Sequence, residues 1–174
     1  MANTFELIAS STVGSGGAAS IDFTSIPSTY TDLCIKVSMR DSAAGANAGQ
    51  LKFTFNGNTA NFSSRWLRGS GSGVVSSPQS FSTAIDVSGN SALPSSGNTA
   101  STFANVEIYI PNYAGSTNKS TSSDAVGENN GTEAYAILDA GLWSNTAAIT
   151  QVTLTTSLLF AQYSTAYLYG ISKS

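Results

Sequence analysis

Leu33-Cys34-Ile35-Lys36-Val37-Ser38-Met39-Arg40 is the stretch whose reading decides the fold. Leu33, Ile35, Val37 and Met39 share one parity, and Cys34, Lys36, Ser38 and Arg40 share the other. Successive side chains of an extended chain point to opposite faces, so this period of two marks a strand with one face in a core. Ile26-Pro27-Ser28-Thr29-Tyr30-Thr31-Asp32 precedes it as a proline stop and polar corner, and Asp41 to Gln50 follows as a loop of small residues.

Outward from that strand the same pattern recurs. Phe5, Leu7 and Ala9 alternate, a glycine-rich turn follows at Gly14 to Gly17, and Ala19, Ile21 and Phe23 alternate again. This predicts a hairpin of the first two strands. Leu51, Phe53 and Phe55 run into Asn56-Gly57, a hairpin signal because both residues accept positive φ. Ala60 to Leu67 is the expected return arm, with Phe62 and Trp66 on one parity. Further strands are predicted at Phe103 to Ile110, Ala134 to Trp143, Gln151 to Phe160 and Ala166 to Ile171. Ala134 to Trp143 carries apolar residues at both parities, which predicts at least partial cover on both faces. The last run is apolar enough that it must pair inside a sheet.

Ser76 to Ser101, apart from a short alternating run at Phe81 to Val87, and Tyr113 to Asn130 read as long polar excursions. The first is expected to be mobile or to face a partner, since so long a loop is uncommon inside a compact domain. Nowhere is a 3.6-residue period sustained. The expected architecture is all-β: an antiparallel, jelly-roll-like β-sandwich of roughly eight to ten strands, forming one domain over 1–174.

At 174 residues the chain can bury roughly 70% of its unfolded surface. It is 41% hydrophobic but only 10% charged, against about 25% in an ordinary globular protein, so hydroxyl and amide groups must carry its solubility. Those side chains compete for the backbone in helices, while Thr, Val, Ile, Tyr and Phe suit a pleated surface. The net charge of −3, the pI of about 4.6 and the lack of any Lys/Arg cluster argue against a nucleic-acid partner. One cysteine, Cys34, excludes an internal disulfide and is expected to be a buried, inert thiol. Met1 to Ile8 lacks a basic segment and a long apolar run, so no Sec-type signal is expected. No apolar run approaches the about 18 residues of a membrane helix, so no membrane insertion is expected either. Synthesis in a cytoplasm follows.

The chain has no histidine, which removes the usual general base, the Ser-His-Asp triad and most zinc sites. A two-carboxylate glycosidase needs only paired acids, but the ten acids are scattered. No catalytic residue, cofactor or metal ligand is assigned. Asp124, Glu128, Glu133, Asn129 and Asn130 offer oxygens of the kind calcium takes, at a spacing that matches no calcium loop. Gly69-Ser70-Gly71-Ser72-Gly73 lacks the Lys-Ser/Thr of a phosphate loop and reads as a turn. Arg65-Trp66-Leu67-Arg68 is a basic-aromatic cluster whose two arginines alternation puts on opposite faces, suited to an edge strand or a contact between subunits. The seven tyrosines exceed what a core of this size needs, and outward rings suit an interface. The expected interface residues are Arg65, Trp66, Arg68, Tyr109, Tyr113 and Tyr163.

Several phrases taken together resemble small structural proteins of tailed bacteriophages, notably of marine and cyanobacterial phages. They are Ile26 to Leu33, Phe55-Asn56-Gly57, Ile110-Pro111-Asn112-Tyr113-Ala114, Leu142 to Thr150 and Tyr167-Leu168-Tyr169-Gly170-Ile171, in that order. The resemblance spans about Phe5 to Ile171 and implies a virion component, with no catalytic residues to carry over. Two jobs would suit such a chain. A decoration or cement protein would bind the major capsid protein on the outside of the shell as a homo-oligomer, with a trimer favoured. A receptor-binding fibre or spike would present loops to a host glycan or protein, but no repetitive or coiled-coil shaft is visible. The expectation is a non-enzymatic decoration protein on the virion exterior, with the adhesin as its alternative.

Overall fold

A computed structural model describes residues 4–79, 83–131 and 133–172. Among these the regular structure is entirely strand: β1 (Phe5–Thr12), β2 (Ala18–Phe23), β3 (Asp32–Met39), β4 (Lys52–Phe55), β5 (Phe62–Gly69), β6 (Val74–Gln79), β7 (Ile85–Asp86), β8 (Ala104–Ile110), β9 (Lys119–Gly127), β10 (Tyr135–Trp143), β11 (Val152–Phe160) and β12 (Thr165–Ile171). They form an eight-stranded sheet, β1-β12-β3-β8-β9-β10-β5-β6, and a four-stranded sheet, β2-β11-β4-β7, antiparallel throughout.

The order is that of a jelly roll with two insertions. β1-β12-β3-β8 faces β2-β11-β4-β7, so the chain folds back on itself in nested pairs, and consecutive strands of these eight fall in opposite sheets except β4 and β7, which pair. Inserted hairpins then widen the first sheet: β9-β10 adds to β8, and β5-β6 adds to β10. The decisive stretch is β3, held between β12 and β8, with Leu33, Ile35, Val37 and Met39 all buried. Phe53 and Phe55 of β4 face them from the other sheet within one core, joined there by Leu154 of β11.

This topology corrects both predicted hairpins. β1 pairs with β12 and β2 with β11, so the glycine-rich turn links two sheets rather than two neighbours. Asn56-Gly57 does take positive φ at both residues, 52° and 66°, and Asn58 N donates to Phe55 O at 2.9 Å. Yet β4 and β5 lie in different sheets. The Asn56 carboxamide turns the corner by bonding Thr150 N, Gln151 N and Ala148 O, which fastens it to the segment before β11. A local turn signal specifies the bend but not which strands the bend joins.

The two long excursions are also corrected. Ser76 to Ser101 contributes much of β6, all of β7 and the buried residues Ala84, Val87, Ala92, Leu93 and Ser95. Arg40, at the end of the decisive stretch, donates to the carbonyls of Asn98 (3.0 Å), Thr99 (2.8 Å) and Thr102 (3.0 Å). Its neighbour Asp41 accepts from the backbone of Ala43, Gln50 and Ser157. Phe81 and Ser82, which open the run read at Phe81 to Val87, lie outside the described residues, as do Met1 to Asn3. Tyr113 to Asn130 holds β9, an interior strand paired with β8 and β10. Its alternate positions include Thr121 and Ser123, whose polarity hides the period.

At Gly170 of β12 the Tyr30 ring lies where a β-carbon would stand, so a methyl there would overlap it. Gly170→Ala is expected to cost about 1–3 kcal/mol, the usual range for overpacking, with β-type circular dichroism retained. Chemical denaturation of the two proteins measures it.

Candidate functional site

Adding four strands to one sheet leaves the outer face of β9, β10, β5 and β6 open. Their outward positions carry an apolar patch among the polar Ser122, Asp124, Ser63, Arg65 and Ser76. Leu138 of β10 pairs across to Leu67 of β5, and the next row runs Val126, Ala136, Gly69, Val74. Leu138 is 60% exposed and Val74 71%, with Leu67 and Val126 also exposed. The partial cover expected on both faces of β10 is limited on its outer side to the half-buried Leu142, with Ala136, Leu138 and Ala140 exposed. Asp124 lies beside Leu138 on β9, and Arg65 is displaced by two residues from Leu67. At the far edge of the sheet Phe5, Leu7 and Tyr167 are exposed, and Phe5 meets Tyr169 edge-on with centroids 6.3 Å apart.

The six expected interface residues divide. Arg65 is exposed on the outer face. Arg68, on the opposite face, donates to Gly89 O at 2.8 Å, and its guanidinium lies 5.3 Å from the Trp66 ring centre and 4.9 Å from that of Tyr135. Trp66 itself is in the core, because its parity is that of Phe62. Tyr113 is wholly buried, its hydroxyl donating to Pro27 O. Both were expected at an interface, and the packing removes both from the surface of the chain. Tyr109 is half-buried on the outer face and donates to Asp32 Oδ2 at 2.7 Å. Tyr163 is 68% exposed in the turn before β12, with φ of 72°. Five strand spacings, about 24 Å, separate β12 from β5, so Tyr163 and Arg65 share no patch.

Cys34 is buried on the outer parity between Tyr169 and Tyr109 of the neighbouring strands, and burial pushes its thiol pKa up. The acids read as oxygen ligands are dispersed: Glu128 accepts from Asn130 N and Glu133 from the Tyr135 hydroxyl. Among the described residues no three of His, Cys, Asp or Glu gather as metal ligands. Asn129 instead joins Asn47 and Asn98, whose carboxamides bond one another at 2.9 Å beside a cavity of about 220 Å³.

The inner face under the added strands holds what the sequence reading missed. The row Thr121, Gly141, Ser64, Gln79 crosses β9, β10, β5 and β6, and the next row places Asp139 between Ser123 and Trp66. Asp139 is 5% exposed; its carboxylate makes no hydrogen bond of full geometry, although the Ser64 hydroxyl stands near enough to donate to it. Burial raises its pKa to about 7; the adjacent Ser64 hydroxyl pulls the other way, and the charge of Asp86 raises it further. One signal was available: Asp139 shares the parity of Ile137 and Trp143, where an acid has no place in an ordinary core.

No protein-family model and no curated protein matches the chain. Among solved structures, exo-inulinase from Aspergillus awamori is similar at 12% identity and a TM-score of 0.48, over 96% of this chain and 29% of that one. The chain thus spans less than a third of that structure's length, and so loose a likeness carries no functional argument.

Because the folded pKa of Asp139 lies above the unfolded value of 3.8, the native state binds the proton more tightly. The resulting stability is present in full below about pH 4, is lost as pH rises to about 7, and amounts to about 4 kcal/mol at most. Asp139→Asn is expected to flatten that pH dependence and to exceed the wild type in stability at pH 8, read by thermal melts across pH.

Proposed function

We propose that the chain is a non-enzymatic structural protein of a tailed-bacteriophage virion, a decoration protein bound to the outside of the major capsid shell. The observation that carries this reading is the open outer face of β9, β10, β5 and β6, where Leu138 and Leu67 pair in solvent. Contiguous exposed apolar surface is uncommon on a monomer and marks a place where another surface binds. The phage phrases supply the kind of particle, and the absence of histidine agrees with a role without catalysis. Decoration proteins commonly act as symmetric oligomers, and a homotrimer over capsid joints fits a chain with few charges.

The adhesin alternative needs polar groups free to bind a glycan. The loop cavity beside Asn47, Asn98 and Asn129 holds carboxamides already paired with each other, so it favours that alternative little.

A decoration protein binds only the assembled shell, so it raises the shell's thermal stability through mass action. Leu67→Asp with Leu138→Asp is expected to leave the chain folded while abolishing both shell binding and that protection. Electron cryomicroscopy of the particle should place the chain at capsid joints with this face inward. Density at the tail tip alone, or competition by the free chain for host cells, would transfer the assignment to an adhesin.

A further inference from the structure

We propose that, off the shell, the outer leucine face is covered by a second copy of this chain in a two-fold dimer, with Arg65 of each copy set against Asp124 of the other. The inference rests on the reading of this face as a binding surface and adds what occupies it in the free protein.

Two charges on this face go unanswered within the chain. Among the described residues neither Arg65 nor Asp124 has a hydrogen bond or an ion pair, whereas the guanidiniums of Arg40 and Arg68 are taken up by backbone carbonyls. Asp124 also stands directly across from Glu107, a like charge that Lys36 already engages. Like charges directly opposed on neighbouring strands cost stability, so a cation brought to Asp124 from outside would relieve it.

Register makes the patch self-complementary. Leu138 lies across from Asp124 on one side and from Leu67 on the other, and Arg65 follows two residues along β5. At about 4.8 Å between strands and 3.4 Å per residue, Asp124 and Arg65 stand about 12 Å apart, diagonally across the leucine pair. A surface with one unpaired acid and one unpaired base at opposite corners of an apolar centre fits its own copy. A two-fold axis lying in the contact plane, and crossing β10 midway between Leu138 and Ala140, exchanges the two charged positions. The same axis lays Leu67 of each copy over Leu138 of the other and brings Val126 near Pro78, so apolar side chains meet apolar ones. Glu107 falls near Ser63 of the second copy, and no like charges are brought together.

Size sets the strength. Four strands of about seven residues make a face of about 19 by 24 Å, or about 450 Å² per copy and about 900 Å² for the pair. Stable complexes bury about 1,200–2,000 Å², so this dimer is reversible rather than obligate. It shields Leu67 and Leu138 from other apolar surfaces while the chain is free, and it gives them up to the shell, where the same face is needed.

The test uses the full chain and the variants Arg65→Asp and Asp124→Arg, with association read by sedimentation velocity over a concentration series. The wild type is expected to pass reversibly from monomer to dimer, and less readily as salt is raised. Each single variant places like charges at both ends of the contact and should weaken dimerisation about tenfold or more. Mixing the two variants in equal amounts sets opposite charges together at both ends, so a dimer of one copy of each should form, as should a homodimer of the double variant. A wild type that stays monomeric or closes as a trimer would overturn the proposal. Single variants that associate as well as the wild type, or a mixture that fails to recover, would overturn it too. Binding to the assembled shell separates this inference from the decoration reading. A monomeric wild type that binds the shell sinks the dimer alone, whereas a dimer that passes the mixing test without affinity for the shell upholds the dimer and removes the decoration reading.

Discussion

Four aromatic rings hold the two parts of this fold together. Trp143 of β10 stacks on Phe62 of β5 with centroids 6.0 Å apart and meets Phe55 of β4 at 5.5 Å. Phe55 in turn packs on Phe53 at 5.4 Å and on Phe62 at 6.1 Å. Phe53 and Phe55 belong to the small sheet, and Phe62 and Trp143 to the inserted hairpins. The cluster is therefore the dry contact through which strands outside the jelly roll share its core. Such pairs each contribute about 0.5–1.5 kcal/mol beyond the area they bury.

Beyond that cluster the character of the inner face changes. The four-stranded sheet ends at β7, only two residues long, so it cannot cover a partner sheet twice as wide. Under the first strands the opposing side chains are Ile35, Ile108 and Leu168; under the added strands they become Ser123, Asp139, Thr121 and Ser64. Lys119, at the start of β9, is also buried, its ammonium bonded to the carbonyls of Gly115 and Thr117. Polar residues at core parity cost stability unless something satisfies them.

The outer face shows the reverse inversion. Where side chains are expected to be polar, β10 and β5 present Leu138 and Leu67, with Asp124 of β9 and Arg65 of β5 beside them and the Lys36–Glu107 pair on β3 and β8. Over these four strands oxygen-bearing residues stand at some core positions and leucines at some outer ones, beside Phe62, Trp66, Ile137 and Trp143, which face the core in the ordinary way. Both inversions fall on the inserted hairpins and neither on the central strands of the jelly roll. The jelly roll thus supplies the stable frame, and the insertions carry the features that bear on binding.

Strand positions and core parity were legible in the sequence wherever the buried residues are large and apolar. Leu33 to Arg40, Phe103 to Ile110 and Gln151 to Phe160 were read from alternation alone, because burying every second side chain leaves a period of two in the chain. The polar strand at Lys119 to Gly127 left no such trace, since Thr121 and Ser123 occupy core positions without apolar side chains. Which strands pair, that Asn56-Gly57 joins two sheets, that Trp66 and Tyr113 are buried, and that Asp139 lies buried between Ser123 and Trp66 were decided only by tertiary structure. The reason is physical: alternation reports whether a residue has a buried side, which is a local property of one strand. Partner choice and convergence depend on contacts between segments far apart in the chain, and nothing in a strand's own pattern encodes its neighbour.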